Sequence, residues 1–226
     1  MTRGRLIDLT RAHHTGMPVY PVLPRTFLQR YVTFDDWEGT TKWPSSTDLW
    51  VTSTHAGTHV DASAHMAPGT QTIEQADLDL MWGDALRLDV SGLAPGDEVS
   101  LERAQSALER AGESLTPRLI VLFHTGMSAY WEEPIYRQTT IGIHPDVVEW
   151  LLDAGVLVYG LDASSPDVDF DAMPNHQLLG ARPHHQIENL VNLDEIPGDR
   201  FTFLGFPLPL RGATASPIRA LAVVDE

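Results

Sequence analysis

The chain has 226 residues, 42% of them apolar and 20% charged, enough to bury one substantial core, and the expectation is a single domain over residues 1–226. A net charge of −16, with only 15 Lys and Arg spread along the chain, argues against a nucleic-acid partner. No apolar run approaches the roughly 18 to 20 residues of a membrane span, and cysteine is absent, which excludes disulfides, thiolate nucleophiles and Cys-ligated zinc and agrees with a cytoplasmic protein acting on a small molecule.

In chain order, short β-like runs at residues 6–9, 27–34 and 49–54 are separated by Pro-rich stretches such as residues 18–24, so the first third should hold strands and ordered loops. Residues 85–90 read as a strand. A helix follows at residues 100–111, with Ser100 as N-cap, Glu102 in its first turn and Gly112 at its stop. Residues 119–123 form a buried strand, and a second helix runs from Pro145, suited to a first helical position, to Gly155. The apolar run 156–161 comes next, and late strands are expected at residues 201–206 and 219–224. Strand, helix, strand, helix, strand defines an α/β class with a mixed sheet and crossover helices. Tyr20, Trp43, Trp50, Trp82, Tyr130 and Trp131 show no helical stripe; most are assigned to the core, with one or two left to stack on an aryl substrate.

The densest chemistry is the segment from His55 through Gly57, His59 and Asp61 to His65, three imidazoles and a carboxylate within eleven residues of a chain with ten His in all. On a strand His59 and Asp61 share a face about 6 to 7 Å apart, which suits two ligands converging on one ion. His55 lies about 13 Å from His59 on a straight strand, too far to share a metal, and Gly57 permits the turn that folds it back. A helix suits the cluster less well, since it sets Asp61 roughly 200° round from His59. Such polar groups converging without an ion are costly to desolvate, so the segment points to a metal site.

His55-x-Gly57-Thr58-His59-x-Asp61-x-x-x-His65 resembles the signature of the cyclase family, which includes bacterial kynurenine formamidases and isatin hydrolases. The resemblance extends to Asn175-His176, to Gln186-Ile187-Glu188-Asn189-Leu190, and to the segment from Gly212 through Ser216 to Arg219. It implies a swivelling β/β/α-type fold and one or two divalent ions, Zn2+ or Mn2+. His55, His59 and Asp61 bind the first ion in that scheme, and Asp61, His176 and Glu188 the second, with Asp61 as the bridge that its two oxygens allow. The resemblance also implies that His65 is the acid/base residue, a task an imidazole suits. The implied activity is hydrolysis of a C–N bond in an aryl formamide, amide or cyclic imide by a metal-activated water, in a homodimer or higher homo-oligomer. A polyketide-type cyclase or lactone hydrolase is the alternative, and a non-catalytic metal-binding protein the contrasting class.

The chain departs from the family pattern at Ser63, Met66 and Val22-Leu23, and between Leu179 and Glu188, where residues 180–186 replace a usual apolar stretch. His184 and His185 in that stretch are expected in a loop or on the surface. His124 ends a buried strand as a pocket or core residue, His144 enters a helix, and His13 and His14 occupy a loop.

Overall fold

An aliphatic run without polar alternation, such as Ile120 to Phe123, is satisfied only in a strand covered on both faces. The computed structural model describes residues 4–40 and 42–225 and places that run at the middle of a nine-stranded sheet. The strands and helices are β1 (Arg5–Asp8), β2 (Phe27–Val32), β3 (Thr47–Val51), β4 (His59–Asp61), β5 (Trp82–Asp89), β6 (Glu98–Val99), α1 (Leu101–Ala111), β7 (Ile120–His124) and β8 (Gly142–Ile143). They continue with α2 (Pro145–Asp153), β9 (Val158–Leu161), α3 (Pro174–Ala181), β10 (His185–Glu188), β11 (Arg200–Leu204), β12 (Ala215–Pro217) and β13 (Leu221–Val224).

The sheet order is β1-β13-β11-β5-β7-β9-β10-β4-β12. Its centre, β5-β7-β9-β10, is parallel, and antiparallel strands extend it on both sides. Parallel neighbours need crossovers, and α1, α2 and α3 fall in the three connections that join these four strands. One face buries Leu86, Val121, Phe123 and Leu161 against Ala104 and Ala107 of α1 and Val148 and Leu151 of α2. The other buries Ala85, Leu122, Val158 and Ile187 under Ile73, Met81 and Leu190.

Local chemistry explains the helix ends. Ser100 Oγ accepts the Arg103 N–H at 3.2 Å, and Gly112 closes α1 at φ +66°. Pro145 opens α2, with His144 Nδ1 accepting the Asp146 N–H at 3.3 Å. The mixed α/β class and both anticipated helices are therefore present, while β5 starts earlier than expected and β11 ends sooner. Four strands and one helix were not anticipated as elements, β6, β8, β10, β12 and α3, while β4 is the strand on which His59 and Asp61 were set. Of these, β10, β12 and α3 surround the polar cluster, where side chains facing the site interrupt the apolar periodicity from which elements are read.

The aromatic assignment is corrected. Tyr20, Trp43, Trp50 and Trp82 are 43%, 86%, 43% and 51% exposed, and only Trp131, at 7%, joins the core. Trp43 and Trp50 belong to the arm of β2 and β3, a two-stranded ribbon that lies outside the main sheet, so its side chains have no second layer to cover them. Among the described residues no helix is long and apolar enough to cross a membrane.

Gly160 lets β9 fit between its neighbours: an added Cβ would lie 2.9 Å from Leu122 Cδ2 and 3.0 Å from both Ile187 Cβ and Leu190 Cδ1. Gly160→Ala should cost about 1–3 kcal/mol by overpacking. Urea unfolding checks it, the expected result being a lower midpoint with an unchanged slope.

Candidate metal centre

β4 is three residues long and buried throughout, with β10 on one side and β12 on the other. The strand alternation sends Val60 into the core and His59 and Asp61 to the opposite face. β10 runs antiparallel with Glu188 opposite His59 and Ile187 opposite Val60, so Gln186 and Glu188 join His59 and Asp61 on the polar face. Gly57, at φ +64°, turns the preceding loop and returns His55 to the cluster. His55 Nδ1 lies 2.9 Å from Asp61 Oδ1, and its Nε2 lies 2.8 Å from Thr214 Oγ1. A single 3-10 turn, Ser63–His65, then sets the His65 ring 4.1 Å from the His55 ring and 5.5 Å from that of His176.

The donor atoms are oriented as a cation requires. His59 Nδ1 donates to the Gly57 carbonyl at 2.9 Å, which leaves Nε2 as a lone pair pointing at Asp61 Oδ1, 3.3 Å away, and Glu188 Oε2, 3.5 Å away. His59 Nε2 and Asp61 Oδ1 are both buried: His59 Nε2 makes no hydrogen bond, and Asp61 Oδ1, though 2.9 Å from His55 Nδ1, lies outside hydrogen-bonding geometry with it. Unsatisfied buried acceptors facing one another are costly, and a cation held between them relieves that cost, so the residues present fit a metal ion. Two triads bring ligand atoms within 4.8 Å of one another: His59, Asp61 and Glu188, and His55, Asp61 and His65. The second triad sets a His65 nitrogen within 4.8 Å of the carboxylate, beyond the closer His55 at 2.9 Å and His59 at 3.3 Å.

Charge follows the same pattern. Burial pushes the Asp61 carboxyl up, but the His55 and His59 imidazoles outweigh it and hold the group well below the usual carboxylate range. Glu188 is raised well above its ordinary value, first by burial and then by the charge of Asp61. Burial lowers His65 to about 4, partly offset by Asp61, so its ring is neutral at pH 7.

His176 comes from α3, and Asp167 fixes it: the carboxylate accepts the ring Nδ1–H at 2.6 Å and the backbone N–H groups of Asn175 and His176 at 2.8 and 3.1 Å. Burial lowers the His176 pKa, but Asp167, Glu188 and Asp61 together raise it. Its Nε2 is 3.9 Å from Asp61 Oδ2 and 3.5 Å from Glu188 Oε1. Among these three groups stands the Gln186 carboxamide, whose Nε2 lies 3.0 Å from Asp61 Oδ2, 3.2 Å from Glu188 Oε1 and 2.9 Å from His176 Nε2. Tyr159 OH donates to its Oε1 at 3.1 Å, which turns the N–H groups toward the acceptors.

All six residues singled out in the sequence, His55, His59, Asp61, His65, His176 and Glu188, therefore converge. Gln186, Tyr159, Asp167 and Thr214 were missed; only Gln186 carried a signal, its two-residue spacing from Glu188. The surface assignment of His184 and His185 is corrected, since both are 2% exposed. They do point apart, but both sides are covered: His185 Nδ1 donates to the Asp61 carbonyl at 2.9 Å, while His184 stacks on Tyr159 at 5.7 Å. His124 faces Asp89 at 3.5 Å and takes no part in the cluster. A cavity of about 280 Å3 opens above the site, with Val19, Tyr20, Leu23, Phe170 and Met173 forming an apolar wall opposite the polar floor.

An α/β sheet with a buried His and carboxylate centre at the end of its parallel strands defines the class. The chain belongs to the family described as "Putative cyclase", whose pattern it matches over residues 7–168. It is 31% identical to a kynurenine formamidase of Paracidovorax citrulli, over 98% of each chain. Its fold is shared with isatin hydrolase A from Labrenzia aggregata, solved with benzyl benzoate, at a TM-score of 0.85 and 23% identity over 98% of this chain and 94% of that one. A solved structure described as a potential metal-dependent hydrolase with cyclase activity aligns with a TM-score of 0.76 and 25% identity over 98% of each chain.

Gly57 serves the site twice, by its positive φ and by leaving room for His13, whose Nε2 would lie 2.6 Å from an added Cβ. Gly57→Ala should destabilise by at least the roughly 1–2 kcal/mol that a left-handed conformation costs a residue with a Cβ. In the double variant with His13→Ala the clash is removed and the conformational part stays. Denaturant unfolding of the two variants checks this, and full recovery in the double variant would contradict the backbone argument.

Proposed function

We propose that the protein is a metal-dependent hydrolase that opens the C–N bond of an aryl formamide or amide. The observation that carries the reading is the pair of buried, unpartnered acceptors, His59 Nε2 and Asp61 Oδ1, at the floor of an apolar cavity. Membership of a family with a kynurenine formamidase relative supports the reaction class, and the relative named as a metal-dependent hydrolase supports the cofactor.

In this reading His55, His59 and Asp61 hold a divalent ion, Zn2+ or Mn2+, since imidazole and carboxylate serve both. Such an ion supplies Lewis acidity, polarising a carbonyl and making water a stronger acid. Tyr20 and Phe170, whose rings meet edge to face at 5.5 Å, receive the aryl group, and the apolar wall excludes bulk water. His65, neutral at pH 7, takes a proton from the attacking water and delivers it to the departing nitrogen as the C–N bond breaks. The water oxygen stays on the acyl carbon. Gln186 supports a centre of one ion rather than two, because its carboxamide already stands among Asp61, His176 and Glu188. His176, fixed by Asp167, and Glu188 then shape the floor through that carboxamide.

Pairing of the first and last strands, β1 with β13, supports a single folding unit, and the lack of cysteine supports the cytoplasm. The β2–β3 ribbon supports a homodimer: an isolated two-stranded ribbon is marginally stable, and here Tyr31, Phe34 and Leu49 are 68%, 58% and 40% exposed. Sedimentation should show a dimer that Tyr31→Glu with Leu49→Glu converts to monomer; a monomeric parent protein contradicts it.

The functional test joins elemental analysis to turnover. The purified protein should carry close to one equivalent of divalent metal and hydrolyse an aryl formamide. His65→Ala should keep the metal while kcat falls by about 10² to 10⁴. Loss of metal in that variant makes His65 a ligand, and a metal-free active protein overturns the scheme.

A further inference from the structure

The cavity presents a single permanent positive charge. Arg137 ends the 3-10 turn Pro134–Arg137 and lines the cavity that holds His55, His65 and Glu188. No other described guanidinium group lines it: Arg30, Arg87, Arg182, Arg200 and Arg219 each pair with a carboxylate, Arg11, Arg103 and Arg110 bind backbone carbonyls, and Arg5, Arg25, Arg118 and Arg211 stand outside the lining. Arg137 has neither an ion pair nor a hydrogen bond among the described residues.

Its place is nevertheless built. The preceding residue, Tyr136, is 2% exposed, packs edge to face on Trp131 at 5.0 Å, and donates its hydroxyl proton to Asn189 Oδ1 at 2.8 Å. Asn189 directly follows Glu188 at the end of β10. The turn that carries Arg137 is thereby tied to the strand that carries Gln186 and Glu188, so its backbone and the floor keep a fixed relation while the exposed side chain reaches along the cavity wall. The protein's net charge of −16 repels anions in general, yet a surface field is screened beyond about 8 Å at physiological ionic strength. Inside the cavity the local charge decides. One divalent ion held by Asp61, with the Glu188 carboxylate beside it, leaves the floor close to neutral, whereas Arg137 has no carboxylate partner among the described residues. A guanidinium so placed is complementary to a carboxylate, which it can bind through two parallel N–H groups.

We propose that Arg137 is a specificity-determining residue that receives a carboxylate of the substrate. Resting on the hydrolase reading above, this makes the substrate class an aryl formamide or amide that bears a carboxylate apart from the scissile bond, in preference to a neutral cyclic imide. The carboxylate end lies at Arg137, the aryl group against Tyr20 and Phe170, and the amide at the floor.

The test compares N-formylkynurenine, whose carboxylate is remote from its formamide, with the same molecule carrying a carboxamide in place of that carboxylate. Wild type should favour the carboxylate in kcat/KM, and Arg137→Gln should reduce that preference by about 10- to 100-fold, the range for losing charge-assisted hydrogen bonds. The change should appear mainly in KM, and Arg137→Lys should restore part of it. An unchanged preference in Arg137→Gln overturns the assignment. If wild type hydrolyses neither compound, the reaction is wrong for this pair, and calorimetric titration of kynurenine and its carboxamide reads Arg137 independently of turnover. Tighter binding of the carboxylate by wild type than by Arg137→Gln upholds the proposal; equal binding by both, or none by wild type, overturns it.

Discussion

The pairing of β4 with β10 is the constraint on which the rest of the site depends. With Glu188 opposite His59 and Ile187 opposite Val60, four polar side chains from two strands share one face while two aliphatic ones share the other. A slip of one residue would exchange the faces, sending Val60 and Ile187 into the cavity and the charged groups into the core. Burial of the aliphatic pair resists that slip. So do the contacts at the strand ends: Thr58 Oγ1 donates to the Asn189 carbonyl at 2.7 Å, and the Ile218 N–H donates to the Thr58 carbonyl at 3.1 Å.

The same arrangement concentrates electrostatic cost. Asp61, His59, Gln186 and Glu188 are all buried, and among the described residues no Lys or Arg pairs with either carboxylate. The protein meets part of that cost with neutral donors, Gln186 toward Asp61 and Glu188, and leaves the rest at two orphaned atoms. A cavity that is stable because it is filled would have had those atoms satisfied internally. Their exposure to one another is the form that affinity for a cation takes in a folded chain, with the sheet's apolar layers stabilising what the site destabilises.

Around this floor the fold separates tasks by element. Strands hold the polar floor, α3 and Asp167 fix one imidazole, and loops near Tyr20, Phe170 and Arg137 line the cavity. Rigid scaffold and variable loops are a common division, since backbone in a sheet has fewer ways to move than backbone at the surface. Differences among relatives in what they accept are therefore expected in the wall rather than in the floor.

The His and Asp cluster was legible in the sequence because its members lie within eleven residues of one another, and the central strands and two helices because their apolar spacing is undisturbed. Local order in the chain determines both kinds of feature. Residue spacing also marked Gly57 as the turn that brings His55 back, and the backbone bears it out with φ +64°. The tertiary structure alone decided the remainder. Asp167 lies nine residues from His176 across a loop, Thr214 lies 159 residues from His55, and Tyr159 reaches Gln186 from the neighbouring strand, so no local pattern joins these partners. His184 and His185 were expected in a loop or on the surface because adjacent residues of an extended segment point to opposite faces. In the folded chain their hydrogen bonds and stacking replace water, and whether a polar residue finds such partners depends on which strands the chain places beside it.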